Sequence, residues 1–426
     1  MAATPKTRCD GETGAGPLTG RPPTEFPRLL VLTGSPPGNN GVGAILQRQI
    51  LEEVPRDRLR IITINPRSVD PKSLKDNVWV DDCLTRKYEH AYRPVGGAVG
   101  NLISRLAHAA LCRPVLREVT KQCVSAGRQH RCEAVLVVLE SPTPIFVAEQ
   151  VAKQLDVPLY CFVMDGPRLH THDYGYHGAL KEHLLAAFDS AMHHASRIAT
   201  AGEAMQMAYQ SAFNKPTSIL RQGVEYREAA FPELSTEGPI KIGLAGSITA
   251  REAFMALTDE LDRREWTLAN RPVIVRIAGA HLRLTPSGPQ HIEYYGWRKI
   301  PEMLRLMSEC DFLYMPQPFS GHLREFAELS FPNKLCTYVP ARRPIMLHTP
   351  PSASLPKFFD RYPCGPRSTD LAAADLVNQT EQCIQNPAEY RSFQDTVDAA
   401  FREALNTAEL KRQIYAFLGC SGIDHK

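Results

Sequence analysis

The sequence predicts an α/β protein of two domains, each a doubly wound, mostly parallel sheet, with a cleft between them. Three observations carry that prediction. Apolar runs such as AVLVVLE (134–140) and PLYCFVM (158–164) are continuous and not alternating, as strands covered on both faces are. Segments of helical spacing separate these runs, and strand–helix alternation builds parallel sheets. A polar stretch, QGVEYREAAFPELSTEGP (222–239), interrupts the pattern, which then restarts at IKIGLAG (240–246).

The elements follow in order. Residues 1–27 contain four glycines and five prolines without an apolar core, so they read as a disordered tail and not as a signal peptide. RLLVLTG (28–34) is a strand followed by a glycine-rich loop and a helix near 42–53, and LRIITI (59–64) is the second strand. A helical stretch over about 98–127 carries an interruption near Pro114. The strands at 134–140 and 158–164 bracket a helix that starts after Pro144. GALKEHLLAAFDSAMHHA (178–195) is helical and RIATA is a short strand. After the polar stretch come IKIGLAG, a helix near 250–264, PVIVRIAG (272–279), HIEYYGW (291–297), a helix near 300–309, DFLYMP (311–316), a short helix opening at Lys334, and PIML (344–347). The expected division is 28–235 and 236–395, two Rossmann-like domains, with a helical segment 396–426 packing back on the first.

Composition sets outer bounds. The 426 residues are 43% apolar and 22% charged, enough for two cores. Forty-nine basic and 46 acidic side chains give a net charge of +3, too mild for an obligate nucleic-acid partner. Eleven scattered cysteines without a CxxC pair read as reduced thiols of a cytoplasmic protein, and no metal-ligand spacing appears. No apolar run approaches a membrane span. NLISRLAHAALCRPVLREVTKQ (101–122) mixes apolar residues with Arg105, Arg113, Arg117 and Lys121. It reads either as a packed helix with a solvated face or as a basic amphipathic helix in peripheral contact with the inner face of a membrane.

Ligands of doubly wound sheets bind at the carboxyl ends of the strands. The informative segments are therefore those that follow strands. TGSPPGNNGVGAILQRQI (33–50) offers Gly38, Gly41 and Gly43, which let backbone approach a ligand at a helix start. VMDGPRLHTHDYGYHG (163–178) crowds Asp165, His170, His172, Asp173 and His177 into what reads as one loop, suited to acid–base work or hydroxyl binding. Asp165, nearest the strand, is its first candidate. In GSITAREAF (246–254), Ser247 or Thr249 is placed to cap a helix, and Arg251 sits in its first turn, where the dipole disfavours a cation. LSFPNKLCTYVPARRPIML (329–347) repeats the anomaly with Lys334. An anion bound at those helix ends would account for both cations.

Three segments together resemble the family 4 glycosyltransferases. AGEAMQMAYQSAFNKPTSILRQGVE (201–225) resembles the stretch that closes the family's first domain, with Gln222-Gly223-Val224-Glu225 at its end. IEYYGWRKIPEMLRLMSECDFLYMPQP (292–318) resembles the border of the nucleotide base, and SFPNKLCTYVPARRPIML resembles the donor signature of a bacterial cell-surface polysaccharide branch with Pro-x-Lys-Leu. The resemblance covers about residues 28–365. It implies the two-Rossmann GT-B fold and transfer of a sugar from a nucleotide-diphosphate-sugar, with retention, without a metal and with no further cofactor. The acceptor is a glycan, a lipid-linked molecule or a small molecule. By the same resemblance Gly41, Gly43, Arg251, Lys334, Ser330 and Phe331 fall to the donor phosphates. Trp297, Arg298 and Thr337 fall to the nucleoside and Glu328 to the sugar, while Asp165, His170 and His172 of the ionisable segment 163–178 stand as the catalytic candidates. The family's two glutamates, eight positions apart, correspond to Leu329 and Thr337. That departure leaves two further readings open. One is a nucleotide-sugar epimerase of the same fold; the other is a non-catalytic relative that binds sugar or nucleotide.

Overall fold

The computed structural model describes residues 25–39, 41–65, 79–85, 97–279 and 289–420. The tail expected over 1–27 lies almost entirely outside the described residues. Seven parallel strands form the first sheet: β1 (Leu29–Thr33), β2 (Leu59–Asn65), β3 (Asp82–Thr85), β4 (Ala134–Val138), β5 (Leu159–Val163), β6 (Arg197–Thr200) and β7 (Thr217–Ile219). Their order is β3-β2-β1-β4-β5-β6-β7. The second sheet runs β11-β10-β8-β12-β13-β14, all parallel, from β8 (Ile240–Ala245), β10 (Arg271–Ala278), β11 (Ile292–Gly296), β12 (Phe312–Pro316), β13 (Ile345–His348) and β14 (Arg367–Ser368). The short β9 (Thr267–Leu268) adds antiparallel to β10. The chain is thus two Rossmann-like domains in the GT-B arrangement. Every residue of β1, β4, β5 and β12 is buried, which is why these strands read as unbroken apolar runs.

Several elements differ from the sequence expectation. The interruption expected near Pro114 is a π-turn and not a break in the rod. Helices Gly97–Ala107 and Arg113–His130 are joined through a π-turn, His108–Cys112, whose wider turn accommodates the proline's missing N–H. The segment after β5 is not a loop: Pro167, with its φ already suited to a first helical turn, opens the helix Pro167–Asp173. No Ser247 or Thr249 side chain caps the helix Arg251–Arg263, whose N-cap is Ala250. The expected boundary at residue 395 falls inside the unbroken helix Pro387–Ala404, whose Val397, Ala400 and Phe401 belong to the second domain's core.

The domains are joined twice. Val224 N–H donates to the Leu405 carbonyl, and Thr407 N–H donates to the Val224 carbonyl. Gln49 bonds both the N–H and the carbonyl of Gly223. A Cβ at Gly223 would sit 2.7 Å from the Asn406 carbonyl oxygen, so only glycine lets the two crossing strands meet. Beyond that crossing, the helix Thr407–Leu418 returns to the first domain and buries Leu410, Ile414, Phe417 and Leu418 against Leu29, Val31 and Phe162.

Candidate functional site

The carboxyl ends of the two sheets face each other. On the first domain this edge carries the loop after β1, Glu140 after β4 and Asp165 after β5. On the second it carries Gly246 after β8, Gly279 after β10, Trp297 after β11 and the segment that follows β12.

Four sets of contacts cross between the domains. The Ser330 hydroxyl donates to Asp165 Oδ1 at 2.7 Å. Arg168 Nε lies 2.9 Å from Glu325 Oε2. The rings of His172 and His322 stand 5.9 Å apart. Phe331 packs against Gly202 and beneath the Arg221 guanidinium, 4.4 Å from the ring centre. Leu329 packs against the first domain's core.

The helix Pro167–Asp173 sorts its histidines. Two residues apart on a helix, His170 and His172 point to nearly opposite sides. His170 is buried, its Nε2 unpartnered, and burial pulls its pKa down against the nearby Asp165 and Asp173 carboxylates. His172 is exposed at the cleft. Glu325 faces the first domain so closely that a Cβ at Gly166 would collide with its carboxylate. Burial raises its pKa, and Arg168 opposes that rise.

On the second domain, Lys334 opens the helix Lys334–Tyr338. The amides of Leu335 and Cys336 already bond the carbonyls of Pro332 and Asn333, so this five-residue turn offers little helix-end potential. The charge lies in the lysine itself. Its Nζ reaches across to the Ser247 carbonyl and its stem runs alongside Gly246. Among the described residues it has no carboxylate partner, and burial pulls its pKa down to about 8. Gly246 has φ 76°, and a Cβ at Gly279 would meet the Gly246 carbonyl oxygen at 2.5 Å; two glycines therefore bring the ends of β8 and β10 together beneath the lysine. Arg251 is exposed at the start of the next helix. The neighbouring Glu252 accepts the N–H groups of Phe319 and Ser320 at 2.8 and 2.9 Å. Burial tends to raise its pKa, but these amides hold it below the usual range.

The expected site residues thus divide. Arg251 and Lys334 come to one edge, while across the cleft Asp165 meets Ser330 and His172 meets His322. Ser330 N–H bonds the Phe326 carbonyl and its hydroxyl bonds Asp165, so Ser330 serves the domain junction here, as Phe331 does. Glu328 pairs with Arg324, 2.7 Å away on its own helix, and Glu325 is the acid turned toward the first domain. Trp297 is 69% exposed, Arg298 bonds the Trp297 carbonyl, and Thr337 is half-buried. Gly41 stands at φ 96° before its helix, while a Cβ at Gly43 would press on Met164 at 3.1 Å; both lie on the first domain, opposite the lysine's edge. Among the described residues no trio of His, Cys, Asp or Glu side chains could hold a metal ion.

Glu140 is a buried acid at this edge that the motifs passed over. Its Oε1 accepts the N–H of Gly34 and of Ser35, both at 2.9 Å, and the Ser35 hydroxyl at 3.0 Å; its Oε2 accepts from Gln47 at 2.9 Å. Burial raises its pKa against these donors. The signal was present, since Glu140 ends AVLVVLE much as Asp165 follows PLYCFVM.

Solved structures share this fold along nearly the whole chain. HepE of Anabaena, solved in complex with UDP and glucose, is 14% identical and aligns over 92% of this chain and 99% of its own, with a TM-score of 0.62. Sucrose-phosphate synthase of Thermosynechococcus elongatus is 12% identical over 91% and 98%, TM-score 0.62. A glycosyltransferase from Rickettsia africae is 10% identical over 93% and 100%, TM-score 0.58. No family model and no curated protein sequence matches the chain.

Proposed function

We propose that this protein is a glycosyltransferase that takes a sugar from a nucleotide-diphosphate-sugar. The observation that supports this reading best is Lys334, an ammonium without a carboxylate partner among the described residues, held over paired glycines at the carboxyl edge of the second sheet. A departing diphosphate needs positive charge there, and Lys334 with Arg251 supplies it. HepE, solved with UDP and glucose, has the same two-domain arrangement. In this reading the nucleoside lies toward Trp297, Arg298 and Thr337. The sugar lies between Glu325 and the loop of Gly41 and Gly43, and the transfer retains configuration without a metal. Asp165 orients the acceptor hydroxyl or takes its proton once it exchanges Ser330 for the acceptor. The acceptor is a glycan, a lipid-linked molecule or a small molecule.

Leu329 and Thr337, where the family has glutamates, favour a non-catalytic nucleotide-binding relative as the second reading. A panel of radiolabelled nucleotide-sugars separates the two. Transfer, or slow hydrolysis of the donor, supports the transferase, whereas calorimetric binding without turnover supports the relative. An isomerised sugar would instead point to an epimerase. Asp165→Asn should lower transfer at least tenfold and leave donor affinity within about twofold. An equal loss of both would move Asp165 to the donor side.

A further inference from the structure

The helix that follows β3 exposes an apolar face. Val99, Leu102, Ile103 and Leu106 are 73, 57, 52 and 62% exposed, and their spacing puts them on one side of the helix Gly97–Ala107. Leu111, in the π-turn, is 55% exposed. Half of the large apolar side chains exposed among the described residues therefore fall within this one short stretch, a patch and not a scatter.

The patch has a defined place. Segments of 11, 5 and 18 residues follow one another from Gly97 to His130, so the rod is about 50 Å long at the helical rise, while β4 spans about 17 Å. The chain leaves β3 at the sheet's carboxyl edge and enters β4 a few residues after His130. The start of the rod lies along the helix Gly178–His194, where the His108 ring stands 5.1 Å from that of His183, and the apolar residues are on the side left exposed by that contact. The buried residues of the last segment, Val119 to Gly127, confirm which end lies on the sheet.

Charge selects the occupant. Arg113, Arg117 and Lys121 are exposed further along the rod, and among the described residues none is in an ion pair. The sequence holds no aspartate or glutamate from residue 90 to residue 117. We propose that this face docks onto an anionic lipid bilayer, with Leu102, Ile103 and Leu106 at the acyl boundary and the arginines at headgroup phosphates. The docking stands on exposed side chains alone and does not require the transferase reading.

Co-sedimentation of the full chain, without donor, tests it with phosphatidylcholine vesicles and with phosphatidylcholine–phosphatidylglycerol vesicles. Binding to the anionic vesicles, weakened by salt, is expected. Leu102→Glu with Leu106→Glu should weaken it at least tenfold. Arg113→Gln with Arg117→Gln should weaken it about fivefold per cation. Unchanged melting curves would show that the variants fold. No binding to either vesicle, or equal binding to both without salt dependence, overturns the proposal. So does a dimer in light scattering that Leu102→Glu with Leu106→Glu dissociates while vesicles bind nothing, since the face would then belong to a second copy.

Discussion

At the scale of single residues, two side chains carry the clearest consequences. Lys334 has a pKa brought down to about 8 by burial, so it is charged below that value and neutral above it. An anion binds the charged form, and affinity for uridine diphosphate should hold below about pH 8 and fall as pH rises through it. Lys334→Arg should abolish that pH dependence, because arginine stays charged, and Lys334→Ala should cost at least tenfold at neutral pH. Calorimetric titration across that range checks all three, and a flat profile for the natural protein would detach the lysine from the ligand. Glu140 is the second. Glu140→Ala leaves the amides of Gly34 and Ser35 without their acceptor and should cost about 2 kcal/mol. Glu140→Gln should cost under about 0.5 kcal/mol. It keeps an oxygen for those amides, and the unpartnered buried Oε1 of Gln47 can turn to accept the new N–H. Urea melts distinguish the two outcomes.

At the scale of elements, the chain leaves β8 and β10 in close approach because the next residue of each, Gly246 and Gly279, is glycine. A methyl at residue 279 meets backbone, which cannot rotate away as a side chain can. Gly279→Ala should destabilise the second domain by about 2 kcal/mol and weaken nucleotide binding together with it. Thermal melts with and without uridine diphosphate read both quantities. A stable variant that binds normally would show that the glycine pair does not shape the ligand edge. The helix Pro167–Asp173 makes the complementary point. A histidine-rich segment looks like a loop by composition, yet a proline in its first turn makes it helical and sends His170 inward and His172 outward.

At the scale of the molecule, the two domains are tied by segments far apart in sequence. Phe417, 1% exposed, fills the first domain's core although it lies near the C-terminus, where its ring stands 5.8 Å from that of Tyr160. Phe417→Ala should therefore destabilise the first domain by about 3–5 kcal/mol while the second keeps its stability. Domain-resolved hydrogen exchange would show protection lost in β1, β4 and β5 and retained in β8, β10 and β12. Uniform loss across both would mean that the domains unfold as one unit.

Much of this architecture was legible in the chain. Parallel strands buried on both faces leave unbroken apolar runs, and the polar break at 222–239 separates two sets of them. The cations Arg251 and Lys334 stand out by position alone, because each opens a helix where the dipole disfavours positive charge. What the tertiary structure alone decided was which partners these residues meet. That Ser330 bonds Asp165, that Glu325 and not Glu328 faces Arg168, and that Phe417 completes the first domain all depend on contacts between residues at least 150 positions apart. Local periodicity records whether a side chain is buried, since burial selects residue type. It carries no record of which distant surface buries it, because many apolar or charged partners would satisfy the same position equally well.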